Sequence, residues 1–207
     1  MSRVFLTWAL AGGSIVSASA IDAAGWKQDL RYLRTELPKR HENLFHTLPK
    51  AEFESDLATL EQRLPTMSDV EVRFALLRLV AKVGDVHTGV AMVADDLHRF
   101  PLGFYAFSDG IFVLSSTPAY AAAVGTRLMA IDETPVEQVE RALAQLTGCE
   151  NRPCQRDHVP QMLPFAEYLH SQQLISDLTS ARFTFQAPGQ EPFSLQITTQ
   201  PNSAQPI

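Results

Sequence analysis

The fold of this 207-residue chain is decided by residues 68–88, which read SDVEVRFALLRLVAKVGDVHT. Apolar residues recur there at helical spacing and form one stripe, made of Val72, Leu76, Leu79 and Val83. Ser68 and Glu71 make the capping box that begins a helix, and Gly84 supplies a left-handed cap that ends it. A helix therefore gives way to a different element at Gly84, and His87 follows at once.

Two further apolar stripes precede this helix, formed by Trp26, Leu30, Leu33 and Leu37 and by Phe53, Leu57, Leu60 and Leu64. Pro38 should end or kink the first of these helices. Pro49 suits the first turn of the second, and Pro65 stops it. The sequence thus predicts a helical bundle over residues 24–83.

The residues after Gly84 are rich in β-branched and aromatic side chains, which predicts a β-rich region. The expected strands cover residues 86–93, 100–107, 111–115 and 127–131, and a last hairpin covers 181–199. Residues 108–110, Ser-Asp-Gly, suit a hairpin turn. Short helices are expected over residues 118–124 and from Pro135, which we place at the first helical position. The predicted fold class is therefore α+β.

The first twenty residues have the three parts of a secretory signal: a cationic start, an apolar run that ends at Val16, and Ala18-Ser19-Ala20. The run is shorter than the roughly 20 apolar residues that cross a bilayer. We expect cleavage after Ala20 and export to the periplasm or the extracellular space, with no membrane association afterwards. The net charge is −6, and the acidic and basic residues are interspersed without a basic stripe, so no nucleic-acid partner is expected.

Cys149 and Cys154 are the only cysteines, and an exported protein meets an oxidising compartment. We favour a disulfide that stabilises the fold by about 2 kcal/mol, with two free thiols as the alternative. No second Cys or His pair has zinc-site spacing, so neither a metal nor another cofactor is expected. His41 and His46 are five apart and do not share a helix face. We interpret His41 as a helix-end residue that bonds backbone carbonyls.

Six short motifs follow one another along the chain. They are W-x-x-D-L at 26–30, H-x-N-L-F at 41–45, G-D-x-H-T at 84–88, F-P-L at 100–102, D-G-x-F-V at 109–113 and V-G-x-x-L-x-A-I-D-x-x-P-V at 124–136. In this order they resemble exported bacterial members of the C-terminal processing, or tail-specific, serine peptidase family. The resemblance runs from about Trp26 to Thr199 and includes a segment similar to a PDZ module.

This resemblance implies a domain organisation. It consists of a signal peptide at 1–20, a helical subdomain at 21–84, a β-rich PDZ-like subdomain at 85–199, and a linker or truncated end at 200–207. The family's nucleophilic serine lies in an α/β catalytic domain that follows these parts, and we expect that domain to be absent from this chain. In the tail-specific branch a lysine activates the serine. The tricorn-like branch resembles a Ser-His-Ser-Glu arrangement whose histidine precedes the PDZ-like segment.

His87 matches that tricorn-like histidine in its place along the chain. Imidazole suits proton transfer from a serine because its unperturbed pKa, about 6.5, lies close to working pH. His87 is therefore the candidate catalytic base, and a strand histidine bonded to the backbone is the alternative. Asp85 precedes it by two residues and is either the group that orients the ring or an ordinary turn residue.

Leu102, Gly103 and Phe104 are candidate substrate-binding residues. With Pro101 they partly resemble the Gly-Leu-Gly-Phe loop with which PDZ domains hold a peptide carboxylate on backbone N–H groups. Pro101 removes one such donor. The alternative interpretation is that Phe104 fills one face of a hairpin.

The sequence thus predicts the N-terminal, non-catalytic portion of an exported serine peptidase. That portion would bind and position peptide or protein C-terminal segments and supply a candidate catalytic histidine. No G-x-S-x-G elbow occurs, so we expect the chain alone not to hydrolyse peptides. The alternatives are a non-catalytic module that binds peptides or small molecules, and a structural or assembly module.

Overall fold

A computed structural model describes residues 22–92 and 97–201 of the chain. The expected signal peptide lies outside the described residues, as do residues 202–207 of the expected linker. Within the described part, no helix combines the length and the apolar composition that a membrane span requires.

Three helices form the N-terminal part, as the apolar stripes predict: α1 (Ala23–Arg40), α2 (Lys50–Arg63) and α3 (Asp69–Ala81). Their stripes meet in one core that includes Trp26, Leu57 and Val72. The predicted capping box of α3 is confirmed, because the Ser68 hydroxyl accepts from the backbone N–H of Glu71 and the Glu71 carboxylate accepts from the backbone N–H of Ser68.

The prolines act at the helix ends with one difference from the prediction. α1 continues through Pro38 to Arg40, and the proline costs the helix one backbone hydrogen bond because it has no N–H. Pro49 precedes α2 as its N-cap residue, and α2 passes into a short 3-10 turn, Leu64–Thr66, that contains Pro65.

The strand expected over residues 86–93 is wrong over its described part, 86–92, which is a turn followed by irregular backbone. Gly84 has a φ of +70°, as the left-handed cap requires. Asp85 then closes a turn, in which its carbonyl accepts from the N–H of Thr88 at 3.0 Å and its carboxylate accepts from the N–H of His87 at 2.9 Å. These local bonds satisfy the backbone without a neighbouring strand.

The second part of the chain contains an antiparallel sheet. The strands of this sheet, and of a separate short pair formed by the first and the last of them, are β1 (His98–Arg99), β2 (Leu102–Phe107), β3 (Gly110–Ser116), β4 (Arg127–Ile131), β5 (Thr134–Pro135), β6 (Ser180–Gln186), β7 (Phe193–Thr198) and β8 (Gln200–Pro201). The main sheet has the order β2-β3-β4-β6-β7, with β5 paired to β4, while β1 pairs with β8. The predicted hairpin turn and the last hairpin are both confirmed.

Three helices accompany the sheet: α4 (Val136–Ala144), α5 (Arg152–Met162) and α6 (Ala166–Ser171). α4 begins one residue later than expected, because Pro135 is engaged in the pairing of β5 with β4. The helix expected over residues 118–124 is a 3-10 helix, Pro118–Ala123.

The sheet and its helices bury a second apolar core, distinct from that of the bundle. Its largest fully buried side chains include Phe100, Phe183 and Phe185, whose rings contact one another. The fold is therefore α+β, with a helical bundle followed by a β-rich part. The turn at Asp85 lies at the point where the chain leaves the bundle.

Candidate functional site

The side chain of Asp85 organises the turn between the two cores. Its Oδ1 atom accepts from the backbone N–H of His87 at 2.9 Å and lies 3.3 Å from Nδ1 of the same residue. Its Oδ2 atom accepts from the Thr88 hydroxyl at 2.9 Å and lies 3.1 Å from Nε2 of His41. One carboxylate therefore joins two imidazole rings that are 46 residues apart in the chain.

These donors keep the Asp85 carboxylate ionised. The backbone N–H of His87 lowers the pKa of Asp85 most, the Thr88 hydroxyl and the side chains of His87 and His41 lower it further, and the result is a pKa of about 2. An ionised carboxylate offers no proton, so each imidazole nitrogen that contacts it must be the donor.

His87 keeps its second ring nitrogen available. The side chain is 90% exposed, and its Nδ1 atom meets Asp85. Nδ1 must carry the proton because Asp85 is ionised, which leaves Nε2 of the neutral ring with a lone pair directed away from the carboxylate. An imidazole held in this way can accept a proton from a hydroxyl group that approaches Nε2.

A cleft of about 800 Å³ opens around this turn. Its lining residues come from the end of α1, the loop after it, the Asp85 turn and the α4–α5 loop: Leu37, Arg40, His41, Glu42, Asn43, His46, Asp85, His87, Thr88, Gly89 and Glu150. The lining carries both acidic and basic side chains, and it joins the end of the helical bundle to the Asp85 turn and the α4–α5 loop. The site therefore depends on how the helical bundle and the β-rich part are held together.

His41 is a site residue that the sequence interpretation missed. Its Nδ1 atom accepts from the backbone N–H of Asn43 at 3.1 Å and its Nε2 atom contacts Asp85, so neither nitrogen bonds a backbone carbonyl as expected. The only signal in the sequence is that H-x-N-L-F and G-D-x-H-T both belong to the set of motifs quoted above. Nothing in either motif indicates that the two rings share one carboxylate.

Cys149 and Cys154 are joined by a disulfide with an S–S distance of 2.03 Å and a Cα–Cα distance of 5.6 Å, which is the pairing that we favoured. The bond ties the loop between α4 and α5 to the first turn of α5. Glu150 within this loop lines the cleft around His87. Gly148, also in this loop, packs so closely that an added Cβ would lie 2.8 Å from the carbonyl oxygen of Asp85. The disulfide-closed loop thus supports the turn that carries the site.

One cluster in residues 22–92 and 97–201 has metal-ligand geometry, formed by Cys149, Cys154 and His158. The two sulfur atoms are bonded to each other, so neither is a thiolate that could bind a metal ion. His158 lies 3.7 Å from each sulfur and contacts the Cys154 carbonyl at 3.0 Å.

The candidate substrate-binding residues Leu102, Gly103 and Phe104 occupy different environments at the start of β2. Leu102 is 1% exposed and belongs to the core of the β-rich part. Gly103 lies against Ser115, and an added Cβ would overlap the hydroxyl oxygen of that residue. Phe104 lines a groove of about 610 Å³ between β2 and α5. Phe104 is the only one of the three that lines this groove, and its ring also stacks on the buried ring of Phe183, as the hairpin interpretation expects.

The remaining groove residues are Tyr105 and Ala106 of β2 and Arg152, Pro153, Arg156, Asp157, Pro160 and Gln161 of α5. Because β2 is the edge strand of the main sheet, one side of its backbone has no strand partner in the described part of the chain. Arg156 reaches across and donates to the carbonyl of Phe107. The groove combines an open strand edge, aromatic side chains and two guanidinium groups.

The chain matches no family model and no curated protein sequence. Its fold is similar to three solved structures of CPAF, a chlamydial serine protease. Mature CPAF complexed with lactacystin superposes with a TM-score of 0.65 at 16% sequence identity, over 86% of this chain and 35% of that one. Mature CPAF gives 0.63 and a serine-to-alanine mutant of CPAF gives 0.62, each at 18% identity, over 86% of this chain and 34% of theirs.

These likenesses show that the chain has an α+β fold similar to the matched part of CPAF. This chain spans about a third of the length of the CPAF structures that it matches.

Proposed function

We propose that this chain is the N-terminal, non-catalytic portion of an exported serine peptidase of the C-terminal processing family, tricorn-like in its histidine. In this proposal His87 is the base for a serine that another stretch of polypeptide contributes. The observation that carries the proposal is the pair formed by ionised Asp85 and Nδ1 of His87, which leaves Nε2 free of the carboxylate in an exposed ring that lines the cleft.

The chemistry follows the pattern of a serine triad. A serine hydroxyl attacks a peptide carbonyl while Nε2 of His87 takes its proton, and Asp85 stabilises the imidazolium that forms. Within residues 22–92 and 97–201, His87 forms its hydrogen bonds with Asp85 and none with a serine hydroxyl. The proposal therefore assigns to this chain the base and its orienting carboxylate, and assigns the nucleophile elsewhere.

Peptide positioning is assigned to the groove between β2 and α5, which we interpret as part of a PDZ-like module. Its occupant is an extended peptide C-terminus, since the edge of β2 can pair with an added strand. Arg152 and Arg156 supply positive charge for a free carboxylate, and Phe104 and Tyr105 supply apolar contact. Export is supported by the disulfide, which forms and persists in oxidising compartments.

The catalytic half of the proposal is tested with the product of the full open reading frame that contains this chain, including any in-frame continuation beyond codon 207. Hydrolysis of a fluorogenic peptide is compared among the wild type, His87→Ala and His170→Ala, the last being a control at another exposed histidine. His87→Ala should lower kcat by about 10²–10⁴-fold, and His170→Ala should not change it. Equal activity of all three proteins would contradict the role of His87.

A second measurement uses residues 21–207 alone. These residues should give no turnover of the same peptide. Turnover that is lost in His87→Ala would show that the chain carries its own nucleophile and would contradict the division of roles proposed above.

The groove favours a second candidate function, in which the chain binds peptide tails without catalysis. Fluorescence titration with a peptide that has a free C-terminal carboxylate, and with its amidated form, tests this part separately. The free carboxylate should bind more tightly, and Arg152→Ala should reduce the difference while Arg141→Ala, on neighbouring α4, should retain it. Binding without hydrolysis by the full reading-frame product would select this second function.

A further inference from the structure

His41 is fixed at the end of α1 by several contacts. It is the C-cap residue of that helix, and its backbone N–H donates to the carbonyl of Leu37 at 3.0 Å. Its side chain is 12% exposed, in contrast to that of His87. The ring stacks against that of His46 with 6.4 Å between centroids, and Nδ1 of His46 lies 2.8 Å from the carbonyl of Asn43. The imidazole therefore has one defined position, set by the helical bundle.

The hydrogen bonds of His41 determine its tautomer. Nδ1 accepts the backbone N–H of Asn43, so its lone pair is used and the proton of the neutral ring lies on Nε2. Nε2–H then points at Oδ2 of Asp85, 3.1 Å away. With both nitrogens engaged, His41 cannot serve as the base, although it lies in the same cleft.

The two oxygens of Asp85 divide their partners. Oδ1 serves His87 through the backbone N–H and Nδ1, and Oδ2 serves His41 and the Thr88 hydroxyl. Rotation of the carboxylate about its Cβ–Cγ bond would break bonds on both sides. Of these four donors, only His41 belongs to a distant part of the chain, 44 residues before Asp85.

We propose that His41 is a positioning residue, whose Nε2–H bond to Oδ2 of Asp85 keeps Oδ1 on Nδ1 of His87. The role of His41 rests on the proposed function, because it matters to catalysis only where His87 is the base. It gives the helical bundle a direct part in the site: the end of α1 sets the orientation of the carboxylate, and the carboxylate sets the tautomer of the exposed imidazole.

The test uses NMR on the chain itself, so that it does not depend on hydrolysis. His41→Phe keeps a planar ring without the N–H donor, whereas His41→Gln places an amide N–H near the former Nε2 position. His41→Asn is a smaller change that loses the reach to Asp85, and it serves if the Phe variant does not fold. His46→Phe is the matched control, because this neighbouring ring stacks on His41 without a hydrogen bond to Asp85.

Two quantities are measured in each variant: the pKa of Asp85 from its carboxyl carbon, and the tautomer of neutral His87 from its ring nitrogens. In His41→Phe and His41→Asn the pKa of Asp85 should rise above its value of about 2, and the Nε2–H form of His87 should increase at least about twofold, as expected for the loss of one hydrogen bond. His41→Gln and His46→Phe should resemble the wild type.

Two results would overturn the proposal. One is an Asp85 pKa and a His87 tautomer that do not change in either His41→Phe or His41→Asn. The other is an equal change in His41→Gln, which would show that His41 acts through packing and not through its N–H group. Failure of the full reading-frame product to hydrolyse peptides would count against the proposed function and leave these measurements unaffected.

Discussion

Because Gly148 lies so close to the backbone of Asp85, we predict that a methyl group added at Gly148 disturbs the site. In Gly148→Ala the new Cβ would lie 2.8 Å from the carbonyl oxygen of Asp85 and 3.2 Å from its carbonyl carbon, both backbone atoms. Ordinary contact begins at 3.4 Å, so the α4–α5 loop and the Asp85 turn must separate by about 0.6 Å. The disulfide between Cys149 and Cys154 limits how far the loop can move.

The chain offers a matched control. Gly89 lines the same cleft, and an added Cβ there meets nothing within 4 Å. No positive φ applies at either glycine, so the two substitutions differ mainly in the space available. Gly148→Ala should lower the free energy of unfolding by about 1–3 kcal/mol, the usual cost of overpacking. Gly89→Ala should leave it unchanged or raise it by about 0.4–1 kcal/mol, because alanine restricts the unfolded chain.

Chemical denaturation followed by circular dichroism measures both free energies, and ¹H–¹⁵N spectra of Asp85 and His87 report the local displacement. Gly148→Ala should shift both amide resonances more than Gly89→Ala does, although Gly89 is nearer in sequence. Equal stability of the two variants, with no shift at Asp85 in Gly148→Ala, would refute the inference that the α4–α5 loop supports the site.

Three further predictions concern stability. Replacing Cys149 and Cys154 by serine should lower the free energy of unfolding by about 2 kcal/mol under non-reducing conditions. A reducing agent should lower the free energy of unfolding of the wild type to the same value, and equal stability of the oxidised and reduced wild type would contradict the role of the disulfide. Glu140→Gln should raise the melting temperature near pH 7, because burial and the neighbouring Glu137 raise the pKa of Glu140 and so disfavour its ionised form in the folded state. The gain in melting temperature should disappear as the pH falls below 4.5, where the carboxyl group of Glu140 becomes protonated, and a gain that persists there would contradict the assignment. Ser68→Ala should cost about 1 kcal/mol through loss of the capping box of α3, and an unchanged denaturation midpoint would contradict that role.

The parts of the fold that the sequence predicted are those in which local chemistry decides the structure. Helical spacing gave α1, α2 and α3, the capping box at Ser68 fixed the start of α3, and the turn at residues 108–110 fixed the β2–β3 hairpin. In each case the residues that determine the element lie within it or beside it. No partner from a distant segment is needed to recognise them.

The parts that the sequence did not predict depend on distant segments. Residues 86–92 have strand-like composition and no strand beside them, so the side chain of Asp85 satisfies the backbone instead. α5 contains Pro153 and Pro160 and has no clear apolar stripe, so the sequence does not predict it. It forms because Asn151 caps it and because its buried residues pack on the sheet. The sequence places His41 correctly at a helix end but does not reveal its contact with Asp85, because that partner is 44 residues away.

The account depends most directly on the protonation of the His87 ring. We expect ¹⁵N chemical shifts of the wild-type chain at a pH where the ring is neutral to show Nδ1 protonated and Nε2 unprotonated, because Nδ1 faces the ionised carboxylate of Asp85. A ring that is mainly protonated on Nε2, or that exchanges freely between the two forms, would contradict the claim that Asp85 holds His87 ready to accept a proton.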